Sequence, residues 1–380
     1  MSTPHPRTAS PRIASAEAHG ASAAAWGRMA VSVGEALSRD LPGARLGILY
    51  ATESMAGKLE EALAVVRRVS GIPDWVGAVG HGIVGQREYF NAAALTALAI
   101  DLPSDAYRLL PHLTDDLSPL GAHAGWIAAH RPGFGIVHAD PRGADTADLI
   151  AGIADASDAF LVGGLTAAVE ETSQISGRAV AGGVSGVLFA GSVAVATGIT
   201  QGCMPSGPVH RITAADGNVV IGLDGERALD VFKRDLDIAS AAQLRGYAAE
   251  MQIALPIPGS DMGDYLVRDF TGIDPAEGLI GVAALVEPGD RLFFARRDRA
   301  AAVDDMERMC EGLKRRAPRA TGGVYFSCVA RGPRLFAADG YERGLLRETF
   351  GALPVAGFFC NGEISNARLY GYTGVLALFS

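Results

Sequence analysis

One order of apolar segments recurs along this chain, and it leaves few architectures open. Leu46–Ala51 reads as a buried strand, and Met55, Leu59, Leu63 and Val66 follow at the spacing of a helix face. Trp75–Val79 makes a second strand, closed by Gly80, and Ala94–Ile100 makes a third. The unit is β-α-β-β. It returns as Phe134–His138, a helical stretch from Thr146 to Ala156, and Ala159–Val162 ending in Gly163-Gly164. A polar excursion from Glu170 to Arg178 then leads to strand-like runs at Gly186–Ala190 and Ser192–Ala196. The clearest copy is C-terminal: Gly323–Val329, a helix over Tyr341–Phe350, Pro354–Phe359, Asn361-Gly362 and a last strand at Gly374–Phe379. Two further helices are marked by Trp26, Met29, Val33 and Leu37, and by Val303, Met306, Cys310 and Leu313 after a strand at Arg291–Ala295. Duplicated units of this kind bury a face against one another. The expected fold is α/β: two lobes built from repeated β-α-β-β units, with mixed sheets covered by helices.

With 380 residues the chain exceeds one ordinary core, which fits two lobes. Residues 1–14, rich in Ser, Thr and Pro at their start, read as a disordered tail. The Gly-, Pro- and Asp-rich stretch Gly202 to Asp235 reads as the least structured link, which sets an N-terminal lobe at 15–235 and a C-terminal lobe at 236–380. A net charge of −9, with no dense basic run, argues against a nucleic-acid partner. No segment reaches the roughly 18 to 20 uninterrupted apolar residues of a membrane helix, and no secretory core follows Met1. Cys203, Cys310, Cys328 and Cys360 form no C-x-x-C pair, so a reduced, cytoplasmic chain is expected.

Three segments carry a resemblance. Gln201–Pro208 with Gly217-Asn218 and Leu223–Leu229, Val267-Arg268 with Gly272–Asp274 and Arg297-Asp298, and Ser327-Cys328 with Arg331-Gly332, Pro354–Ile364 and Gly371–Gly374 together resemble the FIST family. The two expected lobes correspond to its N-terminal and C-terminal domains, and the resemblance runs from about Leu46 to Phe379. It implies a bacterial sensory module that binds a small ligand, an amino acid being the usual proposal. It also implies output through a separate signalling protein, and it leaves room for a homo-oligomer. Some relatives are haem-based gas sensors. No C-x-x-C-H attachment site occurs here, so no cofactor is expected, although any one of eight histidines could serve as a haem ligand.

Ligands of α/β units gather beyond the carboxyl ends of strands. Those ends are Gly80-His81, Gly163-Gly164, Arg297-Asp298, Ser327 with Arg331, and Cys360-Asn361 with Glu363. Arg268, Arg297 or Arg331 could grip a carboxylate through a planar fork, and Glu363 or Asp298 could accept from an ammonium. The competing role for the same charges is an internal salt-bridge network. An enzyme is the other alternative. Gly80-His-Gly82-Ile-Val-Gly85 formally matches a dinucleotide fingerprint, but Gln86 to Ala93 is too short for the crossover helix it needs. Gly183-Val-Ser185-Gly186 lacks the last glycine of a nucleophile elbow, and Cys360, in an apolar approach, would react only if a cation lowered its pKa. No complete catalytic motif is present, and a non-enzymatic sensor is the expected function.

Overall fold

A computed structural model describes residues 10–143, 145–167, 172–257 and 265–380. The start of the expected tail, residues 1–9, lies outside the described residues; Arg12–Gly20 is a strand paired along its length with Ala93–Asp101. The chain divides into two compact units: Met1–Thr200 with Met306–Leu369 and Thr373–Ser380, and Gln201–Asp305 with Tyr370–Tyr372. The C-terminal copy of the repeat folds with the two N-terminal copies in the first unit, which therefore takes segments from both sides of residue 235.

Each copy in the first unit has five parts. The first holds β1 (Leu46–Thr52), α1 (Leu59–Ser70), β2 (Asp74–Gly80), β3 (Gly82–Val84) and β4 (Ala93–Asp101). The second holds β5 (Phe134–Ala139), α2 (Thr146–Ser157), β6 (Phe160–Leu165), β7 (Thr172–Ser176) and β8 (Val184–Phe189). The third holds β9 (Gly322–Cys328), α3 (Tyr341–Phe350), β10 (Val355–Cys360), β11 (Glu363–Ser365) and β12 (Thr373–Phe379). In every copy the first two strands are parallel, as a helical crossover requires, and the last returns antiparallel to the first. The fourth element goes elsewhere. β3 leaves the first copy to pair with β10 of the third; β11 leaves the third to pair with β6 of the second; β7 leaves the second to pair with β2 of the first. The exchange is cyclic and ties the three sheets into one body.

Strand alternation explains the packing. Ile48 and Tyr50, Phe134 and Ile136, and Val324 and Phe326 belong to one core cluster shared by all three sheets. The opposite faces (Leu49 and Ala51, Val137 and Ala139, Tyr325) are covered by other apolar groups, chiefly those of helices. With both faces buried, these strands read as continuous apolar runs. Helix Trp26–Asp40 contributes Met29, Val33 and Leu37 beside Leu59, Leu63 and Val66 of α1. One position marks the threefold repetition. Gly77, Gly163 and Gly357 each sit opposite a residue of the parallel neighbour, and a Cβ there would lie 1.8, 1.7 and 1.7 Å from the carbonyl oxygen of Leu49, Val137 and Tyr325.

The second unit corrects the linker expectation. Residues 203–235 are ordered: among the described residues, Cys203–Pro205, His210–Asp216, Val219–Leu223 and Glu226–Arg227 are strands, followed by helix Ala228–Asp235. They join Met251–Pro256, Tyr265–Arg268, Phe270–Asp274, Leu279–Val282 and Arg291–Arg297 in one sheet. Two of the glycines that suggested a link, Gly217 and Gly225, sit in hairpin turns. Asp224 and Gly225 both take positive φ (50° and 88°), the geometry of a tight two-residue hairpin between Leu223 and Glu226. Phe232 and Leu229 of the helix fill the core against Phe294 and Ile253. Part of the polar excursion at Glu170–Arg178 lies outside the described residues; its remainder forms β7 and the turn after it.

Candidate functional site

The parallel pair β9 and β10 places Cys328 directly opposite Cys360, so the segments after both strands emerge at one sheet end. Arg331 follows β9 and Glu363 opens β11 three residues after Cys360, and both are fully buried. Arg331 Nε donates to Glu342 Oε1 at 2.9 Å, and Glu342 also accepts from Tyr325 Oη at 2.7 Å, from Ser327 Oγ at 3.0 Å and from the Gly332 amide at 3.2 Å. Glu363 Oε2 accepts from the Thr373 amide at 3.1 Å and its hydroxyl at 2.8 Å, while Oε1 faces Cys360 Sγ at 3.4 Å. The guanidinium stacks over Phe336 at 5.3 Å and brings Nη2 within 3.8 Å of Met306 Sδ. Among the described residues its Nη1 is buried with no hydrogen-bond partner.

Burial dominates the electrostatics. It pushes the Glu363 carboxyl up to about 7, against hydrogen bonds from Thr373 and Cys360 and the charge of Arg331. Burial also acts on the Arg331 guanidinium, but the Glu342 carboxylate outweighs it and holds the pKa above its ordinary value. The Cys360 thiol is raised well above its ordinary range by burial and by Glu363, so it is a proton donor and not a nucleophile. On the neighbouring sheets Tyr50 Oη lies 3.1 Å from His138 Nε2, and burial lowers the imidazole to about 3. That ring is neutral.

Of the expected site residues, the structure brings together Glu363, Cys360, Arg331, Ser327, Gly163 and Gly164. Glu363 pairs with Gly164 and Ile364 with Gly163, and a Cβ on Gly164 would lie 2.6 Å from Cys360 Sγ. A Cβ on Gly80 would lie 2.6 Å from Phe358 Cβ of β10, and the His81 amide donates to the Phe359 carbonyl at 2.9 Å. The His81 ring pairs instead with Glu53, and the Asn361 side chain is exposed. The other three belong to the second unit, which the repeated pattern did not anticipate. Asp298 is the N-cap of helix Arg299–Arg316, accepting from the Ala301 amide at 2.9 Å. Arg268 Nη1 donates to the Val267 carbonyl at 2.9 Å, and Arg297 lies over the Tyr372 ring at 5.8 Å.

Arg331 differs from the expected whole fork, since Glu342 already occupies Nε. Glu342 was not singled out from sequence, yet a signal existed: it lies four residues before the buried Leu346, on the covered face of α3. Gly80–Gly85 is not a phosphate loop, because Gly82–Val84 is a strand on β10 and offers no helix N-terminus. Two clefts of about 550 and 480 Å³ open elsewhere, one lined by Glu17, His19 and Arg28, the other by Arg12, Asp101 and Ser380. Among the described residues no three His, Cys, Asp or Glu side chains converge as a metal site, and no helix is long and apolar enough to cross a membrane.

The FIST N domain matches residues 45–226 and the FIST C domain residues 228–366. The chain belongs to the FIST family. FIST domains are associated with sensory signalling. The chain is 29% identical over 354 residues to the uncharacterized protein Rv0628c of Mycobacterium tuberculosis, covering 88% of this chain and 91% of that one. It is 32% identical over 208 residues to the uncharacterized protein Mb0898c of Mycobacterium bovis, covering 52% and 53%. The FIST boundary at residues 226–228 falls inside the second unit, between strand Glu226–Arg227 and the helix that packs beneath it.

Proposed function

We propose that this FIST protein is a non-enzymatic sensor that binds an amino acid or small carboxylate at the Arg331–Glu363 strand ends and signals through a separate partner. The observation that carries the reading is the buried, unpartnered Nη1 of Arg331. Leaving a buried donor unpaired costs about 1–3 kcal/mol, and more for a charged group. A ligand carboxylate oxygen supplies the missing acceptor. Cys360 is not an activated nucleophile, since burial and Glu363 raise its thiol well above the ordinary range. Both charged side chains are buried, so access requires the strand-end loops to open, which suits a sensor whose ligand shifts a conformational population.

A thermal-shift screen of amino acids and small carboxylates tests it. Ligand at 100 times its Kd adds about 2.7 kcal/mol of apparent stability, a readily visible shift. Arg331→Lys, which keeps the charge and loses the planar fork, is expected to abolish that shift. A folded Arg331→Lys protein that retains every ligand response would place the binding site elsewhere.

A further inference from the structure

The cluster holds more carboxylates than cations. Arg331 and Glu342 answer one another at 2.9 Å, and the hydrogen-bond partners of Glu363 among the described residues, Cys360 and Thr373, carry no positive charge. Its neighbours are Cys360 on β10, with Cys328 opposite on β9, and Thr373 on β12. Gly164 of β6 pairs with Glu363 and, on its other side, with His138 of β5; the His138 imidazole bonds to Tyr50 of β1. The only positive charge among these groups is Arg331, already committed to Glu342 and flanked by Tyr325.

We propose that binding of a simple carboxylate anion at Arg331 is coupled to uptake of one proton by Glu363, so that the site senses the anion and pH together. The inference rests on the binding reading above. An anion seated on Nη1 brings a second negative charge beside Glu363, on which Arg331 is the one positive charge that acts among the described residues. Two like charges at close range in a low-dielectric site do not both ionise. Glu363 gives way, because its carboxyl already titrates near neutrality, whereas Glu342 accepts from four donors, Tyr325, Ser327, Arg331 and the Gly332 amide. The proton goes onto Glu363 Oε1, the oxygen opposite the thiol, since Oε2 is filled by the Thr373 amide and hydroxyl.

Calorimetric titration with acetate, propionate and succinate, at constant ionic strength and pH 6, 7 and 8, tests the coupling. Affinity is expected to weaken about tenfold from pH 6 to pH 8, the loss of the protonated fraction of a group titrating near 7. Two buffers of different ionisation enthalpy should show uptake approaching one proton per ligand at pH 8. Glu363→Gln should bind with one affinity throughout; if that variant does not fold, the wild-type proton count decides alone. Binding that ignores pH, or a pH dependence that survives in Glu363→Gln, overturns the coupling and leaves the binding site standing. No carboxylate binding at pH 6 overturns both.

Discussion

Arg331 Nε lies 2.9 Å from Glu342 Oε1 with both side chains withdrawn from solvent, 1% and 0% exposed. The pair joins the loop after β9 to the first turn of α3, so the residue that offers a ligand its spare Nη1 is also a fastener. Removing one partner of a buried pair costs about 3–5 kcal/mol, because the other charge is stranded. Glu342→Ala should therefore lower the unfolding free energy measured by urea titration by that amount. Arg331→Met combined with Glu342→Leu should recover much of it, since neither charge then remains. A double variant as unstable as the sum of the single ones would show that the two side chains act independently.

Glu363 makes stability fall as pH rises. Its folded-state carboxyl is raised from 4.5 to about 7, so between those values the folded state binds more protons than the unfolded chain. The ionised form is disfavoured in the fold by about 3 kcal/mol at most. Unfolding free energy of the wild type should fall between pH 5 and pH 8, and Glu363→Gln should flatten that slope. An unchanged slope in the variant would assign the titration to another group, Glu88 being the next raised to about 7 by burial.

All four cysteines are buried, and Cys360 and Cys310 are raised by burial, Cys310 to about 12. A thiol reagent at pH 8 should label none of them quickly in the native protein and all four after denaturation. Rapid native labelling of Cys360 would reopen a nucleophilic role.

The second unit has a titrating group that works in the same direction. His210 Nδ1 and Nε2 lie 2.7 and 2.6 Å from Asp224 and Asp235, so both nitrogens must donate and the ring is an imidazolium. Burial lowers its pKa, yet the two carboxylate bonds outweigh that and raise it above 6.5. The stabilisation is complete below 6.5 and is lost as pH rises through the folded value. His210→Phe should be destabilised most at pH 6, and a cost that does not diminish at high pH would refute the charged ring.

At the repeated glycine, Gly77→Ala, Gly163→Ala and Gly357→Ala should each abolish soluble folded protein, because the added methyl collides with a backbone carbonyl. Gly27→Ala is the control. It sits in helix Trp26–Asp40 with nothing within 4 Å of a new Cβ, and should be neutral or stabilising by up to about 1 kcal/mol. Equal behaviour of all four would deny the close strand approach.

Local pattern determined much of this protein by itself. β1, β2, β5, β9, β10 and β12 are legible as apolar runs because both their faces are buried, and α1 to α3 because their stripes are helical. The neighbouring placement of Arg331 and Glu363 followed from two parallel strands of one repeat. What the tertiary structure alone decided is non-local. β3 and β11 have only three residues each, too few to show a period, and their partners lie in other copies far along the chain. The same holds for residues 203–235, where turn glycines resemble a link until the hairpins close. Glu342 became the partner of Arg331 only when α3 packed over β9, since which charges a buried arginine meets depends on what is folded against it.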